Sequence, residues 1–177
     1  MKKITLMIGG CKSGKSRHAL ELAEKLNSRR IFIATCIPFD EELKERISRH
    51  QQERDETWKT VDVPINLPEA ISAHDGNNTV LLVDCLTLWI NNLLMASEDQ
   101  SYVDQNVEKL LQSLSRARCP VILVANEVGA GIVPENRLAR LFRDAAGSAN
   151  QRIAAAADQV IYMVAGIPMT IKGEKDA

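Results

Sequence analysis

Aromatic residues, long apolar runs and net charge are all scarce in this sequence. Two Trp, two Tyr and three Phe belong to the 4% aromatic share of its 177 residues, so a ligand site built mainly from stacked rings is not expected. Lys and Arg number 22 against 23 Asp and Glu, a formal net charge of −1, which argues against a broad basic surface for nucleic acid. No apolar run approaches the roughly 18 residues that span a bilayer, so no membrane span is predicted.

Paired cysteines and an export signal are also missing. The four cysteines, Cys11, Cys36, Cys85 and Cys119, are far apart and form no C-x-x-C pair, which argues against a zinc site. The apolar stretch after Met1 is too short for a signal peptide and has no small-residue cleavage site. We therefore expect reduced thiols in a cytoplasmic protein.

The sequence does contain apolar segments of strand length that alternate with segments of helical periodicity. The pattern predicts strands over residues 4–8, 31–34, 58–63, 80–83, 121–125, 160–164 and 169–171, of which 58–63 alternates like an edge strand. It predicts helices over residues 16–26, 40–54, 68–73, 86–95, 103–114 and 135–156. Continuous apolar strands separated by helices indicate an α/β fold, with a mostly parallel sheet and helices on both faces, in a single domain over residues 1–177. Ligands of such sheets bind beyond the carboxyl ends of the strands.

The turn after the first predicted strand carries a phosphate-binding motif. Residues 9–16 read GGCKSGKS and match G-x-x-x-x-G-K-[ST] in full, between a strand and a helix as the motif requires. Lys15 is predicted to reach the β- and γ-phosphates and Ser16 to bind Mg²⁺, while the alternative is a chance match in a glycine-rich turn. The nucleotide-binding residues that the motif predicts are Gly9, Gly10, Cys11, Lys12, Ser13, Gly14, Lys15 and Ser16.

Asp84 is the candidate for a second metal-binding group. It follows the apolar run over residues 80–83, where a carboxylate that holds Mg²⁺ usually lies. The alternative is that Asp84 caps the helix that starts at Leu86. A regulatory GTPase is disfavoured, because the sequence after the strand over residues 121–125 reads NEVG rather than N-K-x-D, and no D-x-x-G follows Asp84.

A histidine lies among arginines on the second predicted helix. Four residues spaced four, three and four apart share one stripe of this helix: Leu43, Ile47, His50 and Arg54. Because the first two are apolar, the stripe should face inward. A neutral imidazole can attack phosphorus and form a covalent phosphoramidate, and Arg46, one turn from His50, can neutralise phosphate charge. The alternative is a helix end that emerges into solvent with His50 on its shoulder.

The segment over residues 126–140 follows a strand and holds two glycines before a proline-started helix. Such a loop at the ligand edge of a sheet can line a substrate pocket. Arg137 and Arg140 lie one turn apart and can grip an anionic group, whereas the alternative is a surface helix with ordinary ion pairs such as Arg140 with Asp144. The candidate pocket residues are Arg46, Arg49, Asn126, Glu127, Glu135, Asn136, Arg137 and Arg140.

Four blocks of this sequence resemble one family, in order and over nearly the whole chain. They are residues 9–16, 46–54 with the WKTV that follows, 84–89, and 126–151. The chain resembles the bifunctional adenosylcobinamide kinase/adenosylcobinamide-phosphate guanylyltransferase family of cobalamin biosynthesis, and the last block is far more specific than the phosphate loop, which many families share. Two departures are small: some relatives carry Glu in place of Asp84, and some carry a second His in place of Arg49.

The resemblance implies a RecA-like P-loop fold and two reactions in one site. ATP or GTP phosphorylates a hydroxyl group of adenosylcobinamide. His50 then attacks the α-phosphate of GTP, releases pyrophosphate, and passes GMP to adenosylcobinamide phosphate, which gives adenosylcobinamide-GDP. Mg²⁺ is the implied cofactor, and members of the family form homo-oligomers, typically trimers. Besides the phosphate loop, the nucleotide-binding residues that the resemblance implies are Ile33, Ala34, Thr35, Gln51, Gln52, Glu53, Arg54, Asp62 and Asp84.

Two other functions are compatible with the residues alone. One is a monofunctional small-molecule kinase or ATPase in which His50 only binds phosphate. The other is a nucleotide-sensing module without turnover. A covalent label from the α-phosphate of GTP separates the three, because only the transferase forms one.

Overall fold

The computed structural model describes residues 3–26, 29–38, 41, 45 and 55–174. Within them, one seven-stranded sheet has the order β3-β2-β4-β5-β1-β6-β7. Its strands are β1 Ile4–Gly9, β2 Arg29–Ala34, β3 Trp58–Asp62, β4 Thr79–Asp84, β5 Val121–Asn126, β6 Gln159–Val164 and β7 Ile167–Lys172. All neighbouring strands are parallel except β6 and β7, which form an antiparallel pair. The predicted, mostly parallel sheet is therefore confirmed, and β3 lies on its edge.

Helices cover both faces of this sheet, as the sequence predicted. The described helices are α1 Lys15–Leu26, α2 Leu67–His74, α3 Leu86–Ser97, α4 Gln100–Arg116 and α5 Arg137–Ala156. Helix α1 packs on one face, where Ala19 and Leu20 share a buried cluster with strand residues such as Met7. The other four helices pack in a larger cluster on the opposite face. Burial of these apolar stripes stabilises the fold and fixes α1 directly behind the carboxyl end of β1.

The central strands are buried along almost their whole length. In β4 and β5 every residue is buried except the last one, Asp84 and Asn126 respectively, and both of these are half-buried. This pattern is typical of parallel strands covered by helices on both faces. The partly accessible polar residues of β4 and β5 therefore lie at the carboxyl ends of these two strands, at the edge of the sheet where ligands of such folds bind.

The start of the last described helix differs from the prediction. The helix predicted over residues 135–156 begins at Arg137, because Asn136 is its N-cap and accepts a hydrogen bond from Ala139 N at 3.0 Å. It also continues without a break through Gly147. Of the helix predicted over residues 40–54, Glu41 and Glu45 are helical, and the rest lies outside the described residues.

None of the described helices combines the length and the apolar character that crossing a bilayer requires.

Candidate nucleotide-binding site

The loop between β1 and α1 wraps around a lysine. Lys15, the first residue of α1, is 7% exposed. Its Nζ donates hydrogen bonds to Gly10 O at 2.6 Å and to Ser13 Oγ at 3.4 Å. A positive charge therefore lies on the inner side of the loop, close to the helix N-terminus, and both features favour a bound phosphate.

Two glycines determine the path of this loop. A Cβ added to Gly9 would lie 2.5 Å from the carbonyl oxygen of Met163 on β6, so no side chain fits there. Gly14 has a φ of +91°, a conformation that residues with a side chain rarely adopt. The turn between β6 and β7 also contacts the loop, since Gly166 N donates to Ser13 O at 3.0 Å.

Two polar side chains end the strands beside the loop. Leu82 and Val124 belong to the core on the α1 face, and residues two apart along a strand share a face, so Asp84 and Asn126 are placed on the α1 face as well. Strand β5 lies between β1 and β4. Asn126 is therefore beside the phosphate loop, and Asp84 is one strand further along the same edge.

Helix α3 does not use Asp84 as its N-cap. That position belongs to Cys85, whose Sγ accepts a hydrogen bond from Leu88 N at 3.5 Å. Burial and the neighbouring Asp84 carboxylate raise the pKa of the Cys85 thiol to about 12, so this thiol stays neutral. The alternative that Asp84 caps this helix is therefore wrong, because the N-cap is Cys85.

The other predicted nucleotide-binding residues on or directly after strands β2 and β3 differ in accessibility. Ile33 and Thr35 have no exposed surface, and the Thr35 hydroxyl instead donates to Cys85 O at 2.7 Å and accepts from Cys85 N at 2.9 Å. Ala34 is half-buried, and Asp62 is exposed on the edge strand β3. Register pairs Ala34 with both Asp62 and Asp84, so the two carboxylates lie on either side of β2, roughly 10 Å apart along the sheet edge.

The segment that follows β5 begins in direct contact with the phosphate loop. Glu127 N donates to Gly9 O at 2.9 Å, and Glu127 Oε1 accepts from Gly129 N at 2.6 Å. Asn126 N donates to Thr87 Oγ1 at 2.6 Å. Of the candidate pocket residues in this segment, Asn126 and Glu127 are therefore the two that the structure brings to the loop.

The remaining pocket candidates of this segment make local contacts at the start of α5. Arg140 Nη1 donates to the carbonyl oxygens of Pro134 and Glu135, at 3.0 and 2.6 Å. Asn136 caps the helix, and Glu135 and Arg137 are exposed. Their role in binding substrate stays a prediction.

Sequence reasoning missed two residues of α5 that bind the segment following β5. Arg143 Nη2 donates to Gly129 O, and Asn150 Nδ2 donates to Asn126 O at 3.4 Å. These two residues are seven apart and flank the buried Ala146. A polar residue on an otherwise apolar helix stripe was a signal that the sequence offered.

The segment that carries the predicted nucleophile lies outside the described residues. It includes His50 and the other predicted binding residues of that helix, namely Arg46, Arg49, Gln51, Gln52, Glu53 and Arg54.

A magnesium ion would be held here by few protein ligands. No cluster of three or more His, Cys, Asp or Glu residues suited to a metal occurs within the described ranges. Mg²⁺ in nucleotide sites takes most of its ligands from phosphates and water and one or two from the protein. The Ser16 hydroxyl at the start of α1 and the Asp84 carboxylate fit that donor set.

A phosphate loop between the first strand and first helix of a mostly parallel sheet defines a P-loop nucleotide-binding protein. Solved structures agree with this class. The RadB recombinase superposes with a TM-score of 0.55 at 15% identity, covering 90% of this chain and 73% of that one. An ATPase from the type III secretion system of pathogenic bacteria gives 0.58 at 13% identity, covering 90% of this chain and 50% of that one. At such identities the likeness shows the RecA-like fold alone.

Sequence comparisons then identify the family. The chain belongs to the cobinamide kinase / cobinamide phosphate guanyltransferase family, whose family model matches residues 5–171. It is 45% identical to the bifunctional adenosylcobalamin biosynthesis protein CobU of Escherichia coli, over 94% of this chain and 98% of that protein. It is 40% identical to the bifunctional adenosylcobalamin biosynthesis protein CobP of Pseudomonas aeruginosa, over 96% and 97%.

Proposed function

We propose that this protein phosphorylates adenosylcobinamide and then transfers GMP from GTP to the product, giving adenosylcobinamide-GDP. The observation that carries the proposal is a phosphate loop with the Lys15 ammonium on its inner side, in a chain of this family. The likeness to solved ATPase structures supports the fold only. The two reactions rest on the family.

The loop residues account for the kinase step. Backbone N–H groups of residues 10–15 and the N-terminus of α1 bind the β- and γ-phosphates, and Lys15 turns from Gly10 O to the bridging region of the nucleotide. Ser16 and Asp84 would hold Mg²⁺, which would neutralise charge on these phosphates. The loop binds phosphate mainly through its backbone, so its side chains can be of different kinds. The residues that contribute in this way are Gly10, Cys11, Lys12, Ser13 and Gly14.

The guanylyl transfer is assigned to His50 by the family resemblance and by its stripe on the predicted helix. A neutral ring nitrogen attacks the α-phosphorus of GTP, the bond to the β-phosphate oxygen breaks, and pyrophosphate leaves. Arg46, Arg49 and Arg54 offset the charge that develops. A phosphate oxygen of adenosylcobinamide phosphate then displaces the histidine.

Contacts to the nucleoside are proposed for the residues on the β2 side of the phosphate loop. Asp62 is exposed at the end of β3, and Ala34, the last residue of β2, is half-buried. Ile33 and Thr35 take part through their backbone, because their side chains are enclosed. Gln51, Gln52 and Glu53 complete the set that the resemblance implies.

We further propose a cytoplasmic homotrimer. Strand β7 supports self-association, because its apolar residues Ile167, Met169 and Ile171 are 64%, 55% and 64% exposed on a sheet edge. Edge strands with exposed apolar side chains pair with other chains unless they are covered. Sedimentation of the wild type should give a trimer and Met169→Asp a smaller species, and a monomeric wild type would contradict the assembly.

A product assay tests the function. The protein is incubated with adenosylcobinamide, Mg²⁺ and ATP or GTP, and the corrinoids are separated by chromatography. We expect adenosylcobinamide phosphate, and adenosylcobinamide-GDP when GTP is present. Lys15→Ala should lower the first reaction by at least about 10²-fold, because a buried cation at the phosphates is lost, whereas the exposed Lys109→Ala on α4 should not.

The other two functions give different products. A monofunctional kinase would stop at the phosphate, and an ATPase would consume the nucleotide without changing the corrinoid. A binding module would do neither.

A further inference from the structure

One carboxylate beside the phosphate loop has no role in the chemistry described so far. Glu127 follows the last residue of β5, and its backbone N–H continues the ladder with β1 by donating to Gly9 O at 2.9 Å. Neighbouring strands lie about 4.8 Å apart. The Glu127 backbone is therefore next to the first residue of the loop.

The order of strands places this residue between the two groups that flank a γ-phosphate. Strand β5 separates β1, which leads into the loop, from β4, which ends in Asp84. In P-loop enzymes Mg²⁺ joins the β- and γ-phosphates and is held by the loop Ser and by the carboxylate at the end of such a strand. The γ-phosphate of a bound nucleotide would therefore lie between the loop and Asp84, near the end of β5.

Contacts to the following loop fix the Glu127 side chain. Its Oε1 accepts from Gly129 N at 2.6 Å, and a Cβ on Gly129 would lie only 2.9 Å from that oxygen. Arg143 of α5 in turn donates to Gly129 O. Among the described residues, no hydrogen bond occupies Oε2. One oxygen orients the half-buried carboxylate, and the other is available to a ligand.

The other described carboxylates at this edge are less suited to act on a substrate hydroxyl. Asp84 is the proposed metal ligand, and Asp62 is exposed on β3, two strands beyond β4. Glu135 is exposed at the start of α5. The kinase step needs an acceptor for the proton of the attacking alcohol, and an ionised carboxylate within hydrogen-bond reach is the usual one.

We propose that Glu127 is the general base of the kinase step. Oε2 of Glu127 accepts the proton of the substrate hydroxyl while the hydroxyl oxygen forms its bond to the γ-phosphorus. The bond from the γ-phosphorus to the β–γ bridging oxygen breaks, the nucleoside diphosphate leaves, and Glu127 later releases the proton to water. This inference rests on the proposed function. The guanylyl transfer needs no such base, because its nucleophiles are a neutral imidazole and an ionised phosphate.

The substitution Glu127→Gln separates the two reactions. The rate of adenosylcobinamide phosphate formation should fall about 10²–10⁴-fold, the range that general bases contribute. Formation of adenosylcobinamide-GDP from GTP and adenosylcobinamide phosphate, supplied directly, should be unchanged. That second reaction also reports on folding and on nucleotide binding in the same protein sample. The matched control is Glu24→Gln, on the exposed surface of α1 far from the loop, and it should leave both rates unchanged.

Two results would overturn the inference. One is a Glu127→Gln kinase rate equal to that of the wild type. The other is an equal loss of both reactions, which would make Glu127 a nucleotide-binding or structural residue. A wild type that phosphorylates no cobinamide would instead refute the proposed function, so the two failures are distinguishable.

Discussion

Gly9 shows how a single residue sets the position of the phosphate loop. Its Cα faces the backbone of β6, and a methyl group there would lie 2.5 Å from Met163 O and 3.2 Å from Met163 Cβ. Since the nearest contact is backbone, it cannot swing away as a flexible side chain could. The sequence motif marked this glycine for phosphate binding, whereas the structure gives it a packing role as well.

We predict that Gly9→Ala destabilises the protein by about 1–3 kcal/mol, the usual cost of overpacking, and weakens nucleotide binding. Gly147→Ala is the matched control. An added Cβ at Gly147 meets no atom within 4 Å, so in the middle of α5 it should stabilise by about 0.5–1 kcal/mol. Urea unfolding of the two variants measures both effects, and an equal stability change in the two would contradict this account of Gly9.

The exposed cysteine Cys11 and the buried cysteines Cys85 and Cys119 should differ in reactivity. Cys11 is exposed in the phosphate loop, whereas Cys85 and Cys119 are buried. Burial raises the pKa of the Cys119 thiol to about 11 and that of Cys85 to about 12, and only the thiolate is alkylated readily. We predict that iodoacetamide at neutral pH modifies Cys11 before these two and that a bound nucleoside triphosphate protects it. Peptide mass spectrometry measures this, and equal labelling with and without nucleotide would speak against loop binding.

At the scale of elements, one aspartate joins the end of α2 to the start of β5. The Asp75 carboxylate accepts hydrogen bonds from Arg118 N at 2.9 Å, Arg118 Nε at 3.0 Å and Cys119 N at 3.0 Å. Desolvation by burial acts to raise the pKa of Asp75, but these hydrogen bonds together hold it below its ordinary value of 3.8. The ionised form is therefore favoured in the folded protein.

We predict that Asp75→Asn lowers the free energy of unfolding by about 1–3 kcal/mol at neutral pH. Because the folded pKa is depressed, this contribution is present above the unfolded pKa and is lost as the pH falls through the folded pKa. The difference between wild type and variant should thus shrink below about pH 4. Urea unfolding at several pH values measures it. Asp144→Asn, on an exposed position of α5, is the control, and a difference independent of pH would contradict the role of the Asp75 charge.

The ends of elements were harder to predict than their existence. Continuous apolar runs located the strands, because parallel strands buried on both faces need them. The start of α5 was placed too early, since Pro134 and Glu135 resemble a helix start, whereas Asn136 provides the cap. The motif predicted which strand leads into the loop, but no local pattern predicts that Gly166 of the β6–β7 turn contacts Ser13.

At the scale of the whole molecule, the order of strands decides which residues meet. The sequence placed candidate residues after several strands, and the structure adds that β5 lies between β1 and β4. This order brings Asn126 and Glu127 to the loop while Asp62 stays on the outer edge. It depends on crossovers between strands distant in sequence, for which one chain alone offers no local signal. The same holds for Thr35. Its hydroxyl accepts a hydrogen bond from Cys85 N and its carbonyl oxygen accepts one from Asn92 Nδ2, and both contacts follow from packing between elements.

The most direct test of the account is a covalent trap with GTP labelled at the α-phosphate. The protein is incubated with labelled GTP and Mg²⁺, denatured, and digested to locate the label. We predict an acid-labile, base-stable label on His50 that is absent from His50→Ala, while that variant still forms adenosylcobinamide phosphate. A protein that carries no label, or a label that persists in His50→Ala, would contradict the guanylyltransferase assignment.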